Sequence, residues 1–449
     1  MAIHKAFLDK IGDIMLKVSD NRRFLVHEDG TPFFYLADTA WELFHRLSVE
    51  DADLYLTDRA AKKISVIQAV VLAEIDGLQT PNPNGDLPLI ANDPTQPNEA
   101  YFAHVDRIVD LAASLGLYIG MLPTWGDKWN KKWGIGPEIF TPENARTFGV
   151  WLGRRYADKP IIWIVGGDRP IENENHRLIV RALAEGLRVG DGGNHLITMH
   201  AWGPHTTSEL VHDETWLDFH TCQSGHTRNM ANWKFIEADY ALTPTRPCMD
   251  AEPGYEDFPS TLPDGPRNLE NGYLDDWDVR KTLYWALFAG AHGHTYGCNP
   301  VWQMWRPGRE ALIRARRPWY EAIQLPGASQ MQHARALLLS RPFLTRIPDQ
   351  QLILSEPGVG AEHMQATRDN VGSYAFVYLP VGNEVELNLH RLTGKQLIGY
   401  WYDPRNGTSR CIGKFENPGR MRFTPPQGGP DWVLVLDDAV AQYPIPGMG

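Results

Sequence analysis

The 449-residue sequence predicts an α/β fold, a (β/α)8 TIM barrel followed by a small all-β sandwich domain. From about residue 33 to 325, short β-rich runs alternate with longer amphipathic stretches, the pattern of parallel strands joined by helices. Eight such units fit a closed barrel, because closure removes the edge strands that an open sheet of that size would have to protect. Beyond about residue 345 the helical period disappears and short alternating runs separated by Gly and Pro turns take over. No GxGxxG or GxxxxGK[ST] follows the first strand, so the usual nucleotide-binding reason for an open doubly wound sheet is missing.

In chain order, the eight strands read FFYLAD (33–38), ISVIQAVVL (64–72), LYIGMLP (117–123), IIWIVGGD (161–168), LITMHAW (196–202), WLDFHTCQ (216–223), PCMDAEP (247–253) and GHTYG (293–297). Between the second and third, Phe102, Val105, Ile108, Val109, Ala112 and Leu115 recur at helical spacing, with Gly116 placed to stop the helix. Before the fourth, Thr141 suits an N-cap and Pro142 a first helical position, while Phe148, Leu152 and Tyr156 lie four apart on one face. Val279, Leu283, Leu287 and Gly290 repeat the arrangement before the eighth. The sandwich strands are SYAFVYLPV (373–381), EVELNL (384–389), QLIGYWYD (396–403) and DWVLVLDD (431–438). Pro342 and Pro348 punctuate the transition, which sets a catalytic barrel at 1–345 and a β-sandwich at 346–449.

Composition narrows the function. A net charge of −12 argues against nucleic acid, whose binders carry basic stripes. No apolar run approaches the roughly 18 to 20 residues of a membrane helix. Lys5, Asp9, Lys10 and Asp13 interrupt the N-terminus, so no secretory core is evident; a cytoplasmic location is expected, or a secreted or periplasmic one for a chain trimmed of its leader. The four cysteines form no CxxC pair, and reduced, buried thiols are expected. Sixteen tryptophans are about two to three times ordinary usage, and Trp on loops offers flat faces to sugar C–H groups.

The C-terminal strand ends of a (β/α)8 barrel form its active face, and here they gather polar residues. Asp38, Thr39 and Trp41 end the first strand, Asp168 the fourth, His200 and Trp202 the fifth, and His220, Gln223 and His226 the sixth. Asp250, Glu252 and Tyr255 end the seventh, and His294, Tyr296 and Asn299 the eighth. Glycosidic cleavage needs a proton donor and a nucleophile or charge stabiliser flanking the bond, and Asp168 and Glu252 are the two carboxyls best placed for those roles. Gly166 and Gly167 would leave space for a ligand beside Asp168, and Tyr255 can donate a hydrogen bond that keeps Glu252 ionised. A bland role exists for each: Asp168 could pair with Arg169 or cap a helix, Asp250 could be a structural partner, and Asp38 could bind sugar hydroxyls or cap the loop at Thr39.

His292 and His294 form an HxH that invites a metal reading. A metal-dependent amidohydrolase would carry its HxH on the first strand, where LADTAW stands, so neither metal nor cofactor is expected and neutral histidines are read as ligands for hydroxyls. Asp38, Trp41, Trp125, His200, Trp202, His220, Gln223, Tyr255 and His294 are therefore the candidate sugar-binding set. Trp129, Trp302 and Trp305 fall on the same predicted rim. A non-catalytic carbohydrate-binding protein would show the same aromatic rim.

FFYLADTAWELFHRLS, WIVGGDRP, MDAEPGYE and WYDPRNG, in this order, resemble the landmarks of the apiosidase-like proteins of glycoside hydrolase family 140. The resemblance runs from about residue 33 to the last strand. It implies a barrel with a C-terminal β-sandwich and hydrolysis of β-linked apiose, a branched pentose of pectic side chains and plant glycosides, by a retaining double displacement. By matching motifs it implies Asp168 as acid/base and Glu252 as nucleophile. The residues themselves leave open another pentose or a hexose, and the oligomeric state.

Overall fold

The computed structural model describes residues 15–261 and 269–448. The N-terminal stretch read for a leader lies largely outside them. The chain divides into two compact units. The first takes in the chain up to Gln223 with Thr243–Pro247 and Gly297–Ile323; the second comprises Ser224–Leu242, Cys248–Tyr296 and Gln324 onward.

The first unit opens with an antiparallel meander that the strand pattern did not announce: β1 (Leu16–Val18), β2 (Leu25–His27) and β3 (Pro32–Phe33). Its parallel strands follow as β4 (Tyr35–Thr39), β5 (Val66–Leu72), β6 (Tyr118–Thr124), β7 (Ile161–Gly166) and β8 (Ile197–His200), each beside the next. Val66 pairs with Tyr118, Ile119 with Ile161 and Trp163 with Ile197. Every residue of these five strands is buried, which explains runs such as VIQAVVL that show no alternation. β9 (His205–Thr206) pairs antiparallel with β10 (His220–Gln223), and the chain between them passes through a short helix, Ser208–Val211.

Four long helices connect these strands: α1 (Val49–Ala61), α2 (Glu99–Ser114), α3 (Pro142–Arg155) and α4 (Glu174–Gly190). Thr141 caps α3 in a capping box with Asn144, and Gly116 stands beyond α2 at φ +75°, as the sequence required. α3 and α4 pack backbone against backbone. A β-carbon on Gly149 would fall 2.6 Å from the Leu183 carbonyl oxygen, and one on Gly190 2.4 Å from that of Val150.

In the second unit, α5 (Trp233–Tyr240) precedes β11 (Cys248–Asp250), and α6 (Asp276–Phe288) precedes β12 (Gly293–Tyr296). β11 and β12 are parallel, with Asp250 opposite His294. After α7 (Pro326–Leu339) the chain turns all-β. β13 (Arg346–Pro348), β14 (Gln365–Asp369), β15 (Tyr374–Leu379), β20 (Trp432–Asp438), β17 (Gln396–Tyr402) and β18 (Ser409–Glu416) form one antiparallel sheet in that order, and β16 (Val385–Asn388) pairs with β19 (Arg420–Phe423) in another. Val377, Leu387, Leu397, Trp401, Phe423 and Leu434 pack into their common core. The fold is thus a (β/α)8-type barrel chain followed by antiparallel β-sheets. Helix α6 is buried from Asp278 to its end: the Trp285 indole donates to the His363 carbonyl at 2.7 Å, and Arg280 grips Asp431 through two 2.9 Å bonds.

Candidate active site

In the first unit the motif ADTAWELFHR is a set of buried anchors. Asp38 is fully enclosed, its Oδ2 accepting from Tyr55 at 2.7 Å and from the Arg59 guanidinium, both on α1. Burial raises this carboxyl while Arg59 pulls it down, the net direction being upward. Its principal bond is thus a structural ion pair, a role outside both expected readings. Glu42 accepts from His45 at 2.6 Å and from the Ile75 amide at 3.2 Å, tying the loops after β4 and β5 together. Burial opposes the Glu42 charge, yet His45 and Arg46 outweigh it and lower the pKa.

Asp168 sits beyond β7 on three successive left-handed residues, Gly166 at φ +95°, Gly167 at +106° and Asp168 itself at +52°. The glycines serve the backbone rather than a ligand. A β-carbon on Gly166 would lie 2.5 Å from the His200 carbonyl oxygen, and one on Gly167 2.6 Å from the Gly126 nitrogen. Only glycine adopts both positions without cost, and Asp is among the few other residues that tolerate the third. The Asp168 side chain keeps 23% of its surface exposed, and its Oδ2 accepts from Arg169 Nη1 at 3.2 Å and from Trp133 Nε1 at 3.3 Å. The Arg169 pairing expected as the bland alternative is therefore present, and it orients a carboxyl that stays reachable. Glu74, two residues past β5, belongs to the same electrostatic neighbourhood. Burial, reinforced by the negative charge of Asp168, pushes it up to about 8. Glu74 went unremarked in the sequence although it obeys the same strand-end rule.

In the second unit Glu252 lies two residues past β11 and is nearly buried; its Oε1 stands 3.2 Å from His226 Nε2. The His226 ring is wedged between Tyr255 and Phe258, at 4.4 and 4.1 Å between centroids. His226 is thus a partner of Glu252 and packs in turn against Tyr255. Asp250 has the structural role expected of it, accepting from Ser224 Oγ at 2.6 Å and Asn232 Nδ2 at 3.0 Å. Four residues beyond Glu252, Glu256 accepts from Tyr296 Oη at 2.6 Å and the Gly327 amide at 3.2 Å, and burial pushes it up to about 7.

The other candidates divide. His220, expected to bind sugar, has both ring nitrogens engaged within the protein, by Thr207 Oγ1 and His212 Nδ1, each at 3.1 Å. Burial, then the charges of Arg246 and His212, push it down to about 3. Trp41 and Trp125, expected on a rim, are each 2% exposed and gather on His200 at 5.2 and 5.6 Å. Trp129 and Trp302 are buried as well. Trp202 is half-buried and stacks on His205 at 4.1 Å, and Gln223 lies against Gly203. In the second unit, burial pushes both His292 and His294 down to about 3, so each is a neutral imidazole at pH 7. Among the described residues no group of three or more His, Cys, Asp or Glu is disposed to hold a metal ion. Nor is any helix among them long and apolar enough to cross a membrane. The four cysteines are thiols, not disulfides; Cys222, Cys248 and Cys298 are buried, but Cys411 is exposed.

The model of the apiosidase-like catalytic domain matches residues 19–345. The chain belongs to the apiosidase-like family. A second model, described as a collagen-binding domain of a collagenase, matches residues 347–437. Among solved structures the chain is similar to a glycoside hydrolase at 33% identity, covering 95% of this chain and 98% of that one with a TM-score of 0.86. It is similar to a glycoside hydrolase family 5 protein from Bacteroides vulgatus ATCC 8482 at 32% identity, 96% and 95% coverage and a TM-score of 0.87. An α-amylase from Geobacillus thermoleovorans, 8% identical over 90% of this chain and 98% of its own, shares the fold alone with a TM-score of 0.54. Comparison with curated proteins gave no match. The apiosidase-like chain is accordingly a glycoside hydrolase by fold and family, with carbohydrate as its substrate class.

Proposed function

We propose that this apiosidase-like protein is a retaining glycosidase of family 140 that releases β-linked apiose from pectic side chains or small apiosyl glycosides. Asp168 is its acid/base and Glu252 its nucleophile. In the first step the Glu252 carboxylate attacks the anomeric carbon while the Asp168 carboxyl gives its proton to the departing oxygen, leaving a glycosyl ester on Glu252. In the second, the Asp168 carboxylate takes a proton from water, which attacks the same carbon and frees Glu252. The observation that carries the reading is the contrast between the two family landmarks. WIVGGDRP presents a carboxyl held on one oxygen yet partly open to solvent, and MDAEPGYE presents a shielded carboxyl beside His226.

The test is sugar release from a panel of glycans and glycosides, read by chromatography, with apiose the expected product. Glu252→Gln should lose at least about 10³-fold in kcat without loss of fold. Asp168→Asn should lose on the order of 10² to 10⁴ for alkyl leaving groups and far less for nitrophenolate, which leaves without a proton. Early product followed by NMR should keep the substrate's anomeric configuration. Inverted product would overturn the mechanism, and no release from any panel member would favour a carbohydrate-binding protein.

A further inference from the structure

Trp133 is the only exposed tryptophan among the described residues, with 57% of the residue's surface in solvent. Exposing so large an apolar ring is unfavourable unless something covers it in use. Its surroundings in the first unit are built rather than loose. The Arg169 guanidinium lies 4.6 Å from the ring centroid and covers part of it. Gly134 beside it leaves no room for a side chain, since a β-carbon there would fall 2.3 Å from Asp127 Cβ, and the Gly136 amide donates to Asp127 at 2.8 Å. The Trp202 indole stands 6.3 Å away at 43°, backed by His205, which Glu209 holds at 2.5 Å. That gap is below the roughly 7 Å a ring would need to slide between two others, so the indoles form a ledge and not a slot.

The direction of the ledge follows from its bond to Asp168. A general acid must reach the glycosidic oxygen at about 2.6 to 3.2 Å, and that oxygen leaves with the aglycone. With Trp133 Nε1 only 3.3 Å from Asp168 Oδ2, a ring carried on the departing oxygen reaches the indole face. We propose that Trp133 and Trp202 form the binding ledge for the leaving group, selecting glycosides whose aglycone is a ring with a flat apolar face, aromatic or sugar. This rests on Asp168 acting as the acid. Trp133 adds a second effect, because its N–H holds the carboxyl while its ring holds the group that carboxyl protonates.

The experiment compares kcat/KM for benzyl β-apioside, an apiosyl-glucose disaccharide and methyl β-apioside, whose leaving alcohols have similar intrinsic reactivity. The ratio of each ring-bearing substrate to the methyl glycoside cancels any common loss from a disturbed Asp168. Trp133→Ala should lower that ratio about tenfold, Trp202→Ala about threefold, and Trp133→Phe should keep most of it. A fall for benzyl alone marks an aryl-selective ledge and a fall for the disaccharide alone a sugar-selective one; either supports the proposal. Unchanged ratios in Trp133→Ala overturn it. A ratio that falls while Asp168→Asn hydrolyses methyl β-apioside at the wild-type rate removes Asp168 as acid but leaves the ledge. If wild type hydrolyses none of the three, calorimetry with benzyl and methyl β-apioside reads the ledge directly. Equal affinities in wild type, or no binding, then overturn it.

Discussion

Glu74 is a carboxyl kept neutral by its setting, because burial and the charge of Asp168 push it up to about 8. The folded state therefore binds its proton more tightly than the unfolded chain, whose Glu titrates near about 4.3. That contribution to stability is fully present below the unfolded value and is lost as pH rises through about 8. Glu74→Gln carries no ionisable group, so its melting temperature should fall less than that of wild type between pH 5 and pH 8.5. Parallel falls in calorimetry would refute the shift. Position at a strand end flags Asp168 and Glu252, and it flags Glu74 equally, two residues past Leu72, where the sequence and the structure both end β5. It gives no sign that the His220 ring meets Thr207 and His212, which flank the short segment Ser208–Val211 between β9 and β10 and are not marked by any local pattern.

At the scale of elements, α3 and α4 each carry a GxxxG, at Gly149 and Gly153 and at Gly186 and Gly190. Each glycine meets the backbone of the opposite helix: β-carbons on Gly153 and Gly186 would fall 2.6 and 2.5 Å from the Leu187 and Arg146 carbonyl oxygens. Backbone cannot yield as a flexible side chain can, so Gly186→Ala should cost about 1 to 3 kcal/mol despite its better helix propensity. Urea unfolding measures this, and a gain in stability would contradict the close approach. Helical spacing locates both helices in the sequence. Nothing in the spacing pairs these four glycines, because a contact between helices has no period along the chain.

At the scale of the whole molecule, the buried pair Arg280–Asp431 joins α6 to the residue just before the last strand across 151 positions of sequence, with Tyr378 donating to the same carboxylate at 3.0 Å. Arg280→Met would leave the buried Asp431 without its guanidinium partner, at a cost of about 3 to 5 kcal/mol. Adding Asp431→Asn should recover part of that loss in thermal or urea unfolding; a double variant no better than the single one would deny the pairing. The alternation of β-rich and helical runs, the capping of α3 and the change of period near residue 345 are local chemistry, each decided within a few turns of chain. They were enough to specify the fold class, and the strand ends were enough to nominate Asp168 and Glu252. The contact of Asp168 with its neighbour Arg169 was legible there, but the partners farther along the chain were not. Trp133 meets Asp168 across 35 positions and His226 meets Glu252 across 26, and bonds of that kind exist only after the strands have set their register and the loops have closed.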